Sequence, residues 1–408
     1  MKKILSSILL AFWASILVSF SQVVPGAERM STYLPLLKGK SVAVFANQTS
    51  LVGHTHLIDT LISCGIRVTK IFGPEHGFRG DADAGEKISS EIDGKTGIQV
   101  ISLYGAHNKP TKEDLQDVDV MIFDIQDVGV RFYTFISSLQ YYIESAFELK
   151  KPLLILDRPN PNGFYIDGPV LDPKYKSFVG MQPIPVVYGM TIGEYALMLI
   201  GEHWLSAKAN ETAEYYRTAG NSADKPFNCM VIKCKLYDHN TKYILPVKPS
   251  PNLPDIQSVY CYPSICFFES TNLSEGRGTH KPFQLFGHPT LPNTLDSFTP
   301  RSMPGATKPK LKDKLCYGWD ISGNPDFTLK QINKRVQIKY ILEAYKIFPD
   351  KKNFFLKPGA INRLAGNDLF EQQIVTGESE ANIRKSWEPA LNKFKKIRKK
   401  YLLYHDFN

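Results

Sequence analysis

Three catalytic signatures are missing from this 408-residue sequence. No G-x-G-x-x-G run follows the first predicted strand, so nothing indicates a dinucleotide. No G-x-S-x-G run occurs, which argues against the nucleophile elbow of α/β-hydrolases. His54 and His56 lack the i,i+4 spacing that places two zinc ligands on one helix face. We therefore predict neither a cofactor nor a metal site.

Cysteine is scarce, with six in the chain. The pairs Cys229/Cys234 and Cys261/Cys266 leave four residues between their members, where zinc knuckles usually have two. Pro263 lies within the second pair, in an apolar, strand-like run. An exported chain can form disulfides, but these apolar surroundings favour buried free thiols. We therefore predict buried free thiols. Disulfide bridges are the second alternative, and a zinc site is the third.

Acidic residues are outnumbered, 40 against 49 lysines and arginines, giving a formal net charge of +9. Much of the excess lies at 308–314 and 393–400. The second run fits the solvated face of a C-terminal helix with an apolar stripe from Ala390 to Leu402. No basic-aromatic motif occurs elsewhere, so we predict no nucleic-acid partner. A basic surface also suits an anionic polymer as substrate.

The first 21 residues have the features of a cleavable secretory signal. A positive start precedes an uncharged apolar stretch at 4–20, and Ser19 and Ser21 occupy positions −3 and −1 of a cleavage site. An uncleaved anchor is the alternative, because the apolar stretch is nearly long enough to span a bilayer. We predict an exported protein, periplasmic or extracellular, without stable membrane insertion after cleavage.

Strands and helices alternate through the first half of the chain. Strands are predicted at 41–46, 68–71, 99–103, 118–125 and 152–156, helices at 54–63, from 111, and at 132–149, 191–205 and 336–348, and irregular or edge structure at 207–227. This alternation predicts an α/β fold with a Rossmann-like doubly wound parallel sheet. The proline-dense segment 246–254 predicts a boundary between a catalytic domain at 28–245 and a smaller α+β domain at 246–408.

Polar side chains follow several predicted strands, where a doubly wound sheet gathers ligands in one crevice. The glycine-rich loop 73–81 follows the second strand, and a similar run lies at 269–278. Such a crevice suits glycoside hydrolysis, which needs a carboxylic acid and usually a second carboxylate. The candidates for that pair are Glu75, Asp81, Asp124, Asp127, Glu269 and Glu275. For any one of them taken alone, helix capping or loop bracing is the alternative.

Two further residue types complete the predicted crevice. Arg79, Arg131 or Arg277 can hold a substrate carboxylate through two parallel hydrogen bonds. The ring of Tyr133 and nearby phenylalanines can pack on sugar faces.

Six runs of the sequence resemble one family. They are G-P-E-H-G-F-R-G-D at 73–81, D-x-Q-D-V-G-x-R-F-Y at 124–133, L-D-R-P-N-P at 156–161, P-S-P-N-L-P at 249–254, E-x-T-N-L-S-E-G-R-G at 269–278 and L-A-G at 364–366. In this order, over nearly the whole mature chain, they resemble the NamZ-type exo-β-N-acetylmuramidases of peptidoglycan recycling. Ser270 stands where the family usually has glycine, and residues 229–245 are less typical.

The resemblance implies a cleft between the two domains and release of N-acetylmuramic acid (MurNAc) from the non-reducing end of peptidoglycan fragments such as MurNAc-GlcNAc. It implies Glu75 as the general acid, with His76, Asp124 and Asp127 as further catalytic candidates. The substrate-binding candidates are Arg79, Arg131, Tyr133, Asn252, Glu269, Asn272, Glu275 and Arg277. The second catalytic group and the stereochemical course stay open.

Two other functions fit the same residues. One is a non-catalytic exported protein that binds muropeptides or glycans in the cleft. The other is a metal-dependent hydrolase acting on another exported substrate.

Overall fold

The computed structural model of the protein describes residues 22–75, 77–78, 91–218 and 228–407. The predicted signal segment, His76, Arg79 and Asp81 lie outside these ranges. Within them, no helix has both the length and the apolar character that crossing a membrane requires.

The described residues form a seven-stranded sheet in the first half of the chain. The strands of this region are β1 (Ser41–Ala46), β2 (Leu51–Val52), β3 (Thr55–His56), β4 (Arg67–Gly73), β5 (Glu91–Ile92), β6 (Gln99–Ser102), β7 (Val120–Asp124), β8 (Leu153–Leu156) and β9 (Cys229–Ile232). The sheet order is β5-β6-β4-β1-β7-β8-β9. All neighbours pair in parallel except the edge strand β5. The five predicted strands and the doubly wound sheet are confirmed.

Helices cover both faces of this sheet, namely α1 (Met30–Leu37), α2 (Leu57–Ser63), α3 (Phe135–Glu148), α4 (Ile192–Gly201) and α5 (Ala207–Thr218). Side chains of a strand point alternately to opposite faces. Accordingly Val42 and Val44 of β1 pack with α1 and α2, whereas Ala43 and Phe45 pack with α3 and α4. The chain crosses from one side of β1 to the other on reaching β7, and this switch opens a crevice at the carboxyl ends of the strands.

The second half is smaller and of α+β type. Its strands β10 (Leu285–His288), β11 (Asp296–Phe298) and β12 (Cys316–Asp320) form an antiparallel sheet in the order β10-β12-β11. Its helices are α6 (Ile256–Ile265), α7 (Pro325–Ile332), α8 (Lys339–Ile347), α9 (Asn362–Ala365), α10 (Leu369–Thr376) and α11 (Glu380–Arg398). One hydrophobic cluster continues from α3 and α4 into α6, α8 and α11, so the two halves share a core.

Three local predictions were wrong. The strand-like run around Pro263 is helix α6. Its proline is tolerated because the carbonyl it leaves unbonded, that of Val259, accepts a hydrogen bond from Asn162 Nδ2 at 3.1 Å. Much of 207–227, predicted as irregular, is helix α5. After Thr111 the chain forms turns instead of the predicted helix. Thr111 and Asp114 do bond each other reciprocally, as in a capping box, but no helix follows them.

The residues after α11 return to the first half of the chain. The Tyr404 hydroxyl donates to Asp157 Oδ2 at 2.5 Å and accepts from the backbone N–H of Cys234 at 2.8 Å. The backbone N–H of Leu403 donates to Glu194 at 2.8 Å. This terminal segment, 401–407, therefore completes the polar interior beside β8 and α4.

The thiols match the prediction only in part. Cys234, Cys261, Cys266 and Cys316 are buried, but Cys64 is exposed at the end of α2. Burial raises the pKa of the Cys261 thiol to about 12, which makes it unreactive near neutral pH.

Candidate active site

A cavity of about 330 Å³ lies where the carboxyl edge of the sheet meets the second half of the chain. From the first half it is lined by Glu75, Tyr104, Phe132, Tyr133, Thr134, Phe135, Phe178 and Val179, and from the second by Ser250, Asn252, Leu253, Tyr262, Glu269, Arg277 and Phe283. Its walls thus combine two carboxylates and one guanidinium with many aromatic rings, a composition that suits a polar ring-shaped ligand.

Glu75 lies at the end of one strand and is held by residues from the end of a second strand and the start of a helix. It follows β4 directly, since Gly73-Pro74 terminates that strand. Tyr104, after β6, donates to Glu75 Oε1 at 2.9 Å, and Thr134, immediately before α3, donates to Oε2 at 3.1 Å. Burial, reinforced by the Glu75 charge, raises the pKa of Tyr104 well above its ordinary value. Tyr104 therefore stays protonated and keeps donating to this half-buried carboxylate.

The opposite wall carries Glu269 and Arg277. Arg277 Nη2 lies 2.5 Å from Glu269 Oε1, and its guanidinium is 5.2 Å from the centroid of the Phe283 ring. Glu75 and Glu269 are the carboxylates among the described residues that line the cavity. One comes from each half of the chain.

Glu275 and Lys310 stand behind this wall. Arg277 Nε lies 3.4 Å from one oxygen of Glu275, and Lys310 Nζ lies 2.8 Å from the other. Burial would raise the pKa of Glu275, but Lys310 and Arg277 hold it below its ordinary value. Burial likewise opposes the charge on Arg277, but Glu269 and Glu275 raise its pKa. The four side chains form a row of alternating charge.

Tyr133 and Asn252 also line the cavity, but their polar groups bind the protein. The Tyr133 hydroxyl donates to the Pro249 carbonyl at 2.8 Å, and Asn252 Nδ2 donates to the Gly305 carbonyl at 2.7 Å. They fix the P-S-P-N-L-P segment as one side of the cavity.

Asp124 lies outside the cavity, contrary to the predicted catalytic role. It is completely buried and accepts two hydrogen bonds from Arg158, at 2.6 and 2.8 Å. The pair joins the end of β7 to the run that follows β8. Its location favours a structural role, because both carboxylate oxygens are committed to this buried pair.

Asp127, also predicted as catalytic, does not line the cavity either. It accepts from the N–H of Gly129 at 2.6 Å and from the Tyr188 hydroxyl. Burial raises its pKa to about 6, although these hydrogen bonds oppose the shift. At Gly129, where φ is +76°, an added Cβ would lie 2.2 Å from Asn160 Oδ1, so glycine is required. Asp127 therefore braces the turn that leads to Thr134.

Arg131 is completely buried, which does not support its predicted contact with substrate. Its guanidinium donates to the carbonyls of Pro169, Ile184 and Leu364 at 2.7, 2.7 and 2.6 Å. A Cβ on Gly366, where φ is +80°, would lie 3.0 Å from Arg131 Nη2. The L-A-G run thus packs against Arg131 and accepts a hydrogen bond from it through the Leu364 carbonyl. This contact links the two halves of the chain.

The remaining predicted residues divide as follows. Asn272 lies outside the cavity and donates to the Asn353 carbonyl at 2.6 Å. The structure brings together Glu75, Tyr133, Asn252, Glu269 and Arg277, and keeps Asp124, Asp127, Arg131, Asn272 and Glu275 out of the cavity. His76 and Arg79 lie outside the described residues.

Sequence reasoning missed Tyr104, Thr134 and Lys310. Tyr104 directly follows the predicted strand 99–103, so its position after a strand end was the available signal, whereas Thr134 lies within the predicted helix 132–149 and gave no such signal. Lys310 lies in the basic run 308–314, which shows charge but no motif. No group of three or more His, Cys, Asp or Glu side chains in the described ranges is placed to hold a metal ion.

Two family models match the chain. The model described as "Exo-beta-N-acetylmuramidase NamZ, N-terminal" matches residues 42–257, and the corresponding C-terminal model matches 260–404. They meet within α6, a little after the predicted boundary at 245–246.

Relatives of known name or structure cover almost the same length. The peptidoglycan β-N-acetylmuramidase NamZ of Bacillus subtilis (strain 168) is 38% identical in an alignment 392 residues long, which covers 91% of this chain and 89% of that protein. A crystal structure of a DUF1343 family protein from Bacteroides fragilis is 43% identical, with a TM-score of 0.83 over 95% of this chain and all of that one. A second such protein from B. fragilis is 28% identical, with a TM-score of 0.73 over 94% of this chain and 99% of its own. The chain therefore belongs to the exo-β-N-acetylmuramidase NamZ family of glycoside hydrolases.

Proposed function

We propose that this protein is an exported exo-acting glycosidase that releases MurNAc from the non-reducing end of peptidoglycan fragments such as MurNAc-GlcNAc. The observation that carries the proposal is the cavity, which has a carboxylate on each wall. Its volume of about 330 Å³ is at the small end for ligand pockets. A space of this size suits one terminal sugar better than a run of sugars, which favours exo-cleavage.

Glu75 is the general acid in this proposal. It protonates the glycosidic oxygen as the bond between that oxygen and the anomeric carbon breaks. The hydroxyls of Tyr104 and Thr134 hold its two oxygens and so fix the direction in which the carboxyl group faces the cavity. The rings of Tyr262 and Phe283 supply apolar surface for the sugar.

The carboxylate of the lactyl group on MurNAc needs a cationic partner. Arg131 is occupied by three carbonyls, and Arg277 lies between Glu269 and Glu275. We therefore assign this contact to Arg79, four residues after Glu75 in the sequence. Arg79→Met is expected to remove the preference for a MurNAc glycoside over the matching GlcNAc glycoside.

The test of the acid is Glu75→Gln, assayed on MurNAc-GlcNAc. We expect kcat to fall by about 10²–10⁴-fold, because that is the usual contribution of general acid catalysis. The melting temperature should stay at the wild-type value. Near-normal release of MurNAc by this variant would remove Glu75 from the role.

Two wild-type controls separate the alternatives. Binding of MurNAc-GlcNAc without turnover at any pH would indicate a glycan-binding protein. Activity that a chelator abolishes and an added divalent metal restores would indicate a metal-dependent hydrolase.

A further inference from the structure

The cavity contains a second carboxylate whose surroundings suit a base. We propose that Glu269 takes the proton from the water that attacks the anomeric carbon, and that Lys310 positions it through the row Lys310–Glu275–Arg277–Glu269. This inference rests on the proposed function and adds the catalytic group that the family resemblance left open.

The location of Glu269 is the first observation. It faces the cavity from the second half of the chain, whereas Glu75 faces it from the first half. An acid and a base acting on one anomeric carbon must approach the sugar from different sides, or with a water between them. Carboxylates on separate walls satisfy that requirement.

The second observation is how Glu269 is held. Arg277 bonds Oε1 at 2.5 Å, and among the described residues no donor bonds Oε2. The side chain is about one-third exposed, at 32%. One oxygen is therefore fixed, while the other is available to a water molecule in the cavity.

Charged and neutral groups both surround Glu269. Arg277 is the cation in contact with it, and Glu275 and Lys310 follow behind. The other titratable neighbours are Tyr262 and Cys266, whose pKa values burial raises well above their ordinary values, so both stay neutral. Glu75 faces the same space from the opposite wall. A carboxylate that a guanidinium holds at one oxygen can accept a proton from water at the other.

The reaction step balances with these two groups and water. The glycosidic bond breaks, and the proton of Glu75 goes to the departing oxygen. The oxygen of water bonds to the anomeric carbon, and one proton of that water goes to Glu269. Glu75 ends ionised and Glu269 ends protonated, and proton exchange with solvent restores both.

Lys310 supports Glu269 through the backbone as well as through charge. Its ammonium donates to the carbonyls of Phe268 and Thr271 at 2.6 and 3.1 Å, on either side of Glu269-Ser270. It also neutralises Glu275 at 2.8 Å. Without Lys310, Glu275 would depend on Arg277 alone and compete with Glu269 for it.

The test of Glu269 compares two substrates with different leaving groups. On MurNAc-GlcNAc, Glu75→Gln and Glu269→Ala should each lower kcat by about 10²-fold or more. On 4-nitrophenyl β-MurNAc, whose leaving group needs little protonation, Glu75→Gln should recover most of its activity, while Glu269→Ala should not. Added azide, which needs no base, should restore turnover of the nitrophenyl substrate by Glu269→Ala.

Three results would overturn the base assignment in a Glu269→Ala protein with the wild-type melting temperature. These are kcat within a few-fold of wild type on both substrates, a loss confined to MurNAc-GlcNAc, and a loss that azide does not restore. Failure of the wild-type protein to hydrolyse either substrate would instead refute the proposed function. The two failures are therefore distinguishable.

The test of Lys310 is a pH profile. Lys310→Met should lower kcat by about tenfold through misplacement of Glu269, with a smaller change in KM. The acidic limb of kcat/KM should move to higher pH, and Lys310→Arg should restore part of the loss. The control is Lys281→Met, which removes another lysine–carboxylate pair, with Asp320 at 2.7 Å, outside the cavity. A Lys310→Met profile that superimposes on wild type, with equal kcat, would refute the positioning role.

Discussion

Replacing Arg131 by methionine tests whether this arginine stabilises the fold or binds the substrate. The guanidinium is completely buried and bonds three backbone carbonyls, those of Pro169, Ile184 and Leu364. Methionine fills much of the same space but donates no hydrogen bond. We therefore expect loss of stability with retention of substrate preference.

The size of the loss follows from the acceptors that lose their donor. The Ile184 carbonyl still accepts from the N–H of Leu171 at 3.1 Å, so the carbonyls of Pro169 and Leu364 are the two left without a donor. Each costs about 1–3 kcal/mol, which gives roughly 2–6 kcal/mol in total. Burial with no described carboxylate to offset it lowers the pKa of Arg131 to about 9, so the native protein also carries a cost for this charge. Methionine removes that cost, and we expect a net loss of about 2 kcal/mol, at the low end of the range.

Urea unfolding followed by tryptophan fluorescence measures the loss, and kinetics on MurNAc and GlcNAc glycosides measure the preference. Arg131→Met should unfold at lower urea but keep the wild-type ratio of kcat/KM for the two glycosides. Arg79→Met is the matched comparison. We expect it to unfold at the wild-type urea concentration but to lose the preference for the MurNAc glycoside. Wild-type stability together with a lost MurNAc preference would show that Arg131 reaches the substrate.

Three further changes test other contacts. Tyr104→Phe removes one hydrogen bond to Glu75, and we expect a lower kcat, by about tenfold, and a shifted pH optimum with unchanged melting temperature. Burial raises the pKa of Asp127 to about 6, so the folded state binds more protons than the unfolded state between about pH 4 and 6, and this group's contribution to stability falls as pH rises through that window. Asp127→Asn should flatten that part of the pH dependence of urea unfolding, and an unaltered slope would contradict the shift. Tyr404→Phe removes a donor from Asp157 and should cost about 1–3 kcal/mol, read from the urea midpoint, whereas an unchanged midpoint would mean that the terminal segment contributes no stability there.

The sheet was predictable because its signals are local. The strands β1, β7 and β8 are short apolar runs, as buried parallel strands are, and Gly73-Pro74 ends β4 where Glu75 begins the loop. The capping box of Thr191 and Glu194 was also visible, because both partners lie within four residues.

The sequence did not show which charged residues line the cavity and which stabilise the fold, because that depends on partners elsewhere in the chain. Arg131 and Arg277 occupy similar glycine-containing runs, but one meets the carbonyl of Leu364, 233 positions away, and the other meets Glu269, eight positions away. Lys310 depends in the same way on a contact with Glu275 that no spacing rule predicts. Helix α5 was missed because its sequence is polar, so its amphipathic pattern is weak.

The terminal segment has a consequence for the order in which the protein folds. A chain leaving the ribosome completes the sheet strands long before residues 401–407 exist. Until Tyr404 and Leu403 arrive, Asp157 and Glu194 lack partners that the finished protein supplies. The first half therefore cannot reach its final interior during synthesis, and a nascent chain stalled before residue 401 should remain sensitive to protease around β8 and α4.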